Sequence, residues 1–368
     1  MPPSLISHPA TARFATARFA LAWFLGCGLL AAAPSSGQAA EPSTADEATG
    51  TLIQVDRIWD QAAHNAFTDL VRFQGSWYCV FREGSGHVSD DGSLRVLVSD
   101  NIDDASRWQS AALLSSKTAD LRDAKITITP DQQLMLSGAG AQHDRTRFKH
   151  QSYSWFSSNG RDWSQPYPIG EKDFWLWRTT WHDGRAYSVG YATGETADRH
   201  VRLYRSPDGK SFEVLVKNLF EEGYPNESSL VFLEDDTCYC LLRRDGSPNT
   251  GLLGTAQPPY RDWNWQDLGV RIGGPHMIQI PDGRLIAAVR LYDGGARTAL
   301  CWLDPETGKL TEFLALPSGG DTSYPGLVWH QDHLYVSYYS AHEAGKIPAT
   351  TSIYLAKVAI DDVPPQNP

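Results

Sequence analysis

The chain has 368 residues, is 41% hydrophobic and 20% charged, and carries a formal charge of −11 at pH 7. That is a globular composition, with length for two average domains or one large all-β domain. The acidic balance makes the chain a poor candidate for binding nucleic acid or anionic membrane surfaces.

At the N-terminus Arg13 and Arg18 precede the apolar run "FALAWFLGCGLLAAA" (19–33), and small residues follow. With Gly37 and Ala39 suiting a cut site, residues 1–39 are predicted to be a secretory signal peptide. The run of about 15 residues falls short of the roughly 20 that span a bilayer. Lipoprotein anchoring through Cys27 in "FLGC" is the alternative. Removing residues 1–40 takes two arginines and no acid, leaving 30 basic against 43 acidic side chains, a charge of −13. A secreted or periplasmic location is expected. In such an oxidising compartment Cys79, Cys238, Cys240 and Cys301 have the opportunity to pair. Four cysteines without C-x-x-C or Cys/His spacing nevertheless read as buried packing residues, and neither a metal nor a cofactor is expected.

Residues 40–50 form a polar linker. From 51 to 362 the chain repeats itself, and 363–368 form a short tail. Apolar strands end in small-polar turns at Ser99, Ser157, Ser206, Thr255 and Asp304, spaced 58, 49, 49 and 49 residues apart. Two short β-branched or aromatic segments precede each turn, joined by Asp-Gly, Pro-Asp-Gly or Asp-Asp. Helical periodicity is essentially absent. Six antiparallel meanders of about 50 residues predict an all-β, six-bladed β-propeller of four-stranded blades. The segment "TLIQVDRIW" (51–59) is predicted to supply the outer strand that closes the ring against the last blade. The turns at Ser157 and Ser206 have the form of degenerate Asp boxes, with Asn159 or Asp208 binding turn amides and Trp163 or Phe212 plugging the hairpin. These are expected to be structural.

The first strand of each blade lines a propeller's axis. Reading one entry position per blade gives Asp69, Asp123, Arg178, Glu227, His276 and Tyr324, the last four spaced 49, 49 and 48 apart. The outgoing ends of three second strands carry Arg82, Arg243 and Arg290. Three guanidinium groups around one axis in an acidic protein suggest a carboxylate-binding site.

The three arginines, Glu227 in "NESSLVFLEDDTCYCLLRR" and Tyr324 in "SYPGLVWHQDHLYVSYYS" resemble the exo-α-sialidase family. The likeness spans roughly residues 60–360 and is similar, more narrowly, to exported bacterial sialidase-like proteins with "FREG…H" and "GGDTSYPG" segments. The resemblance implies retaining hydrolysis of a terminal sialic acid from a glycan. Tyr324 would be the nucleophile, avoiding the repulsion a carboxylate nucleophile meets at a carboxylated anomeric carbon. Glu227 would take its proton, with Arg243 and Arg290 favouring the phenolate. The acid/base is expected in the loop after Arg82, where Asp91 and His87 are the candidates. Arg178, Asp123, His276 and Trp177 are expected to contact substrate. Hydrolysis or lyase cleavage of another sugar, and glycan binding without turnover, are the alternatives.

Overall fold

Each meander forms one sheet. The computed structural model describes residues 49–194, 199–361 and 363. The predicted signal peptide, Cys27 and all but two residues of the linker lie outside the described residues. The first strand, β1 (Gly50–Trp59), pairs with none of its sequence neighbours. It lies antiparallel on β24 (Ser352–Ile360), the last strand, completing the sheet formed by β22 (Thr322–His330) and β23 (His333–Ser340). This is the expected closure of the ring, with main-chain hydrogen bonds joining the two ends of the propeller.

Five more four-stranded sheets precede that one, each in sequence order from the axis outward. Blade 1 holds β2 (His64–Phe73), β3 (Ser76–Gly84), β4 (Ser93–Ser99) and β5 (Gln109–Leu114). Blade 2 holds β6 (Ala119–Ile128), β7 (Leu134–Gln142), β8 (His150–Ser157) and β9 (Tyr167–Ile169). Blade 3 holds β10 (Phe174–His182), β11 (Arg185–Ala192), β12 (Val201–Ser206) and β13 (Glu213–Phe220). Blade 4 holds β14 (Pro225–Phe232), β15 (Cys238–Arg244), β16 (Leu252–Ala256) and β17 (Asn264–Asp267). Blade 5 holds β18 (Gly273–Gln279), β19 (Leu285–Leu291), β20 (Arg297–Asp304) and β21 (Lys309–Ala315).

Second and third strands are the most apolar, because blades stack on both of their faces. Val80, Phe81, Leu136, Val189, Cys240, Ala287 and Val336 are all fully buried. Cys79, Cys238, Cys240 and Cys301 are free and buried, as packing residues. The Asp-box turns behave as local clamps. Asn159 Oδ1 accepts from the Arg161 and Asp162 amides at 2.9 Å, and Asp208 Oδ1 accepts from Lys210 at 2.9 Å and Ser211 at 3.1 Å.

Candidate active site

All six innermost strands carry a β-bulge near their entry end. The ladder shifts between Ala66 and Asp69, Arg122 and Lys125, Leu176 and Thr179, Pro225 and Ser228, Gly273 and His276, and Ser323 and Gly326. A bulge inserts an unpaired residue and re-aims its side chain. At Phe67, Asp123, Gly274 and Tyr324 the inserted residue has positive φ, between 51° and 64°. Only glycine adopts that region without strain, so the fold holds three side chains there against a local cost.

The bulge at Tyr324 delivers its phenol to blade 4. Tyr324 Oη donates to Glu227 Oε1 at 2.6 Å, and Arg243 Nη1 donates to Tyr324 Oη at 2.9 Å and to Glu227 Oε2 at 2.7 Å. The Gly274 amide adds a bond to Glu227 Oε2 at 2.9 Å. Arg243 is held from behind by Asp245 at 3.0 Å. Burial, followed by the Glu227 charge, pushes the Tyr324 phenol well above its usual range, against the pull of Arg243 and Arg290. The resting phenol is therefore protonated and donates to Glu227. Arg243 and Arg290 favour the phenolate, the direction expected from sequence, but burial and Glu227 outweigh them in the resting site.

A cavity of about 330 Å³ opens over this trio. Blade 4 adds Tyr224, Asn226 and Asp245 to its wall, and blade 3 adds Trp175, Tyr191, Thr193 and Arg199. Trp175 and Tyr191 stack with ring centroids 6.0 Å apart and planes 10° apart. Arg199 lies over the Tyr224 ring at 4.4 Å. From blade 2, His150 completes the wall, and burial lowers its imidazole to about 4, so it stands neutral.

The remaining predicted residues divide by depth and direction. Asp69, Arg178 and His276 line a second cavity of about 520 Å³ farther along the axis, which shares no wall residue with the first. Arg178 Nη1 bonds Asp69 Oδ2 at 2.7 Å, with both side chains buried, and Arg178 Nη2 bonds the Pro325 carbonyl at 3.2 Å. His276 Nδ1 accepts from the Leu327 amide at 3.1 Å, and burial followed by the Arg178 charge drives its pKa well below the usual range. These three tie blades together. Trp177 is 2% exposed, edge-on beneath Tyr324 at 5.8 Å, with Lys125 over its face at 5.1 Å. Trp175 is the tryptophan that reaches the cavity.

The three arginines are not register-equivalent. Arg243 stands opposite its blade's bulge, whereas Arg82 and Arg290 pair with Ala66 and Gly273, the residues just before theirs. One residue reverses the direction of a strand side chain. Arg82 is accordingly fully buried toward blade 2, bonding Asp120 Oδ1 at 2.9 Å and the Gly86 carbonyl at 2.8 Å. Arg290 turns toward blade 6, where it donates to the Thr322 carbonyl at 2.8 Å and lies over the Tyr324 ring at 5.2 Å.

Asp91 closes its own loop: both of its oxygens accept from the Ser85 amide at 3.1 Å. Hydrogen bonds from Ser89 and Ser85 hold its carboxyl below the usual range, the opposite of what a proton donor needs. His87 projects to the rim and bonds Asp321 Oδ2 at 2.7 Å. Asp123 is 9% exposed. Burial raises it to about 6, against Lys125 and Arg122 and with help from Glu227.

Sequence reasoning missed Arg199, Tyr224, Asn226, Asp245 and Asp321. Asn226, next to Glu227, and Asp245, two residues after Arg243, were within reach. A periodic reading that takes one residue per strand passes over the second residue a bulge brings to the same face.

No family model matches the chain, and no curated protein sequence does. Solved structures do. A protein of unknown function from Dyadobacter fermentans superposes with a TM-score of 0.74 at 17% identity, covering 85% of this chain and 99% of that one. Trypanosoma rangeli sialidase, bound to the inhibitor DANA, gives 0.63 at 13% identity and covers 80% of this chain. The match takes in 55% of that sialidase's length. Penicillium chrysogenum α-L-arabinanase gives 0.63 at 12% identity, covering 84% of this chain and 98% of that one. At these identities the likeness is one of architecture: the chain is a six-bladed β-propeller, the fold of that sialidase and that arabinanase as well.

Proposed function

We propose that the protein is an exo-glycosidase of sialidase type, cleaving a terminal sialic acid or related acidic sugar with retention. The observation that carries this is the Tyr324–Glu227–Arg243 trio at the base of a cavity whose wall also holds Trp175, Tyr191 and Arg199. In the first step the Tyr324 oxygen bonds the anomeric carbon as the glycosidic C–O bond breaks. The phenol proton passes to Glu227 over 2.6 Å, and the leaving oxygen takes a proton from Asp123. Asp123 fits that role better than Asp91, because near pH 6 half of it remains protonated. Water then attacks the glycosyl-tyrosine. It gives one proton to Asp123 and keeps the other in the sugar's new hydroxyl; as the anomeric carbon–Tyr324 oxygen bond breaks, Glu227 returns the phenol proton to Tyr324. Arg243 stabilises the charge passing between Glu227 and Tyr324, and Arg199 is the wall cation available to a substrate carboxylate.

A second reading, hydrolysis of a neutral or differently charged sugar, rests on Arg82. Its guanidinium is committed to Asp120 and the 86–89 loop, leaving fewer arginines for a carboxylate. A panel of fluorogenic α-sialosides, uronides, rhamnosides and arabinofuranosides separates the two. Turnover of the sialoside alone supports the first reading. Turnover of another sugar with the sialoside inert supports the second, and binding without any turnover contradicts both.

A further inference from the structure

Beside the Tyr324 pocket stands a second group of side chains that the proposed hydrolysis does not use. His64 opens β2, His87 lies in the loop after β3, and Asp321 precedes β22. The three therefore meet where blade 1 adjoins blade 6. His64 Nε2 and His87 Nδ1 approach the same oxygen, Asp321 Oδ2, at 2.9 Å and 2.7 Å. One ligand atom from each residue lies within 4.8 Å of the other two. From this geometry we propose that His64, His87 and Asp321 form a binding site for a transition-metal dication, Zn²⁺ foremost.

The donor set is two imidazole nitrogens and one carboxylate oxygen, the borderline combination that suits zinc and leaves a fourth position for water. Asp321 is pre-oriented for it. Its other oxygen, Oδ1, accepts from Tyr339 Oη at 2.6 Å and faces Arg290 at 3.5 Å, so Oδ2 is left to the two histidines. Such outer partners are what fix a ligating carboxylate. His64 is anchored: its side chain is 4% exposed and packs against Phe67 and Tyr339 at 6.4 Å and 6.3 Å. Its Nδ1 has no hydrogen-bond partner among the described residues, so no neighbour dictates the tautomer and Nε2 is free to offer a lone pair. His87 is 51% exposed, which lets water reach the open position.

Zinc ligands at about 2.0–2.1 Å and tetrahedral angles stand roughly 3.3 Å apart, so the imidazoles must open by about half an ångström. His87 can supply that movement because it sits on a loop. The ion would replace two N–H donors converging on one oxygen and would fasten that loop to blade 6. Phe67 separates it from the nucleophile, with ring centroids 5.2 Å from His87 and 5.0 Å from Tyr324.

The test is calorimetric titration of ZnCl₂ into chelator-treated full-length protein, alongside visible absorption after Co²⁺ addition and thermal melts with and without Zn²⁺. His87→Ala removes a half-exposed ring and leaves the core intact. The expected result is one Zn²⁺ per wild-type chain, four-coordinate cobalt bands, and a zinc-dependent rise in Tm. Affinity should fall at least about tenfold in His87→Ala, with the Tm rise lost. Absence of stoichiometric binding by the wild type overturns the proposal, as does binding by His87→Ala as tight as wild type. Neither result depends on turnover of any glycoside, so this proposal and the hydrolase reading fail separately.

Discussion

The backbone of Gly274 lies against the ring of Tyr324: a Cβ added there would stand 2.8 Å from Tyr324 Cγ and Cδ2. The same residue's amide donates to Glu227, and its φ is +55°. One glycine thus sets the positions of both Tyr324 and Glu227.

Gly274→Ala should therefore push Tyr324 out of line with Glu227. Strain at positive φ costs about 1–2 kcal/mol of stability, but the larger effect belongs to catalysis. A displacement near 1 Å at the reacting atom can cost about 10²-fold in rate. The expected outcome is kcat reduced on the order of a hundredfold with Tm only a few degrees lower, read by steady-state kinetics and thermal melts.

Asp123 should be visible in both stability and rate. Its folded-state pKa, about 6, lies above the 3.8 of an unperturbed carboxyl. Between those values the folded chain holds more protons than the unfolded one, so this residue's contribution makes stability fall as pH rises through the window. Asp123→Asn removes the penalty. Chemical denaturation at pH 8 should find the variant more stable by roughly 3 kcal/mol, while its turnover drops by at least about 10²-fold. Equal pH dependence of stability in wild type and variant would contradict the assignment.

Much of the architecture was legible. Turns such as "PDG" and "DDG" recur at a period set by four short strands, and a blade's interior strands must be apolar on both faces. The fold and its closing strand follow from those two facts. Depth within the site was not legible, because it depends on the bulges and on side-chain reach: Arg178 and Glu227 share a bulge position yet line different cavities. Asp123 and Tyr324 take the first position of their bulges, Arg178 and Glu227 the second, and Asp69 and His276 the residues after, yet all six look equivalent by period. The same single-residue difference separates Arg243 from Arg82 and Arg290 on the second strands.

The axial pair tests that distinction. Asp69→Asn leaves Arg178 buried without its counter-charge, close to Lys125, whose pKa burial and Arg178 already lower to about 8. Breaking a buried pair from one side costs about 3–5 kcal/mol, so urea denaturation should show a loss of that order. Because the pair lies outside the Tyr324 cavity, KM at a temperature where the variant is folded should stay within about twofold of wild type. A KM that rises tenfold or more without loss of stability would instead place Asp69 and Arg178 in contact with substrate.

In the proposed reaction Tyr324 attacks the sugar. The most direct measurement is mass spectrometry of the Tyr324 peptide after rapid quench with a fluorinated analogue of whichever glycoside the panel shows to be turned over, in which fluorine slows breakdown of the intermediate. A glycosyl adduct on Tyr324, absent from Tyr324→Phe, is expected. An adduct on Glu227 or Asp123, or rapid hydrolysis of the natural glycoside by Tyr324→Phe, would contradict it.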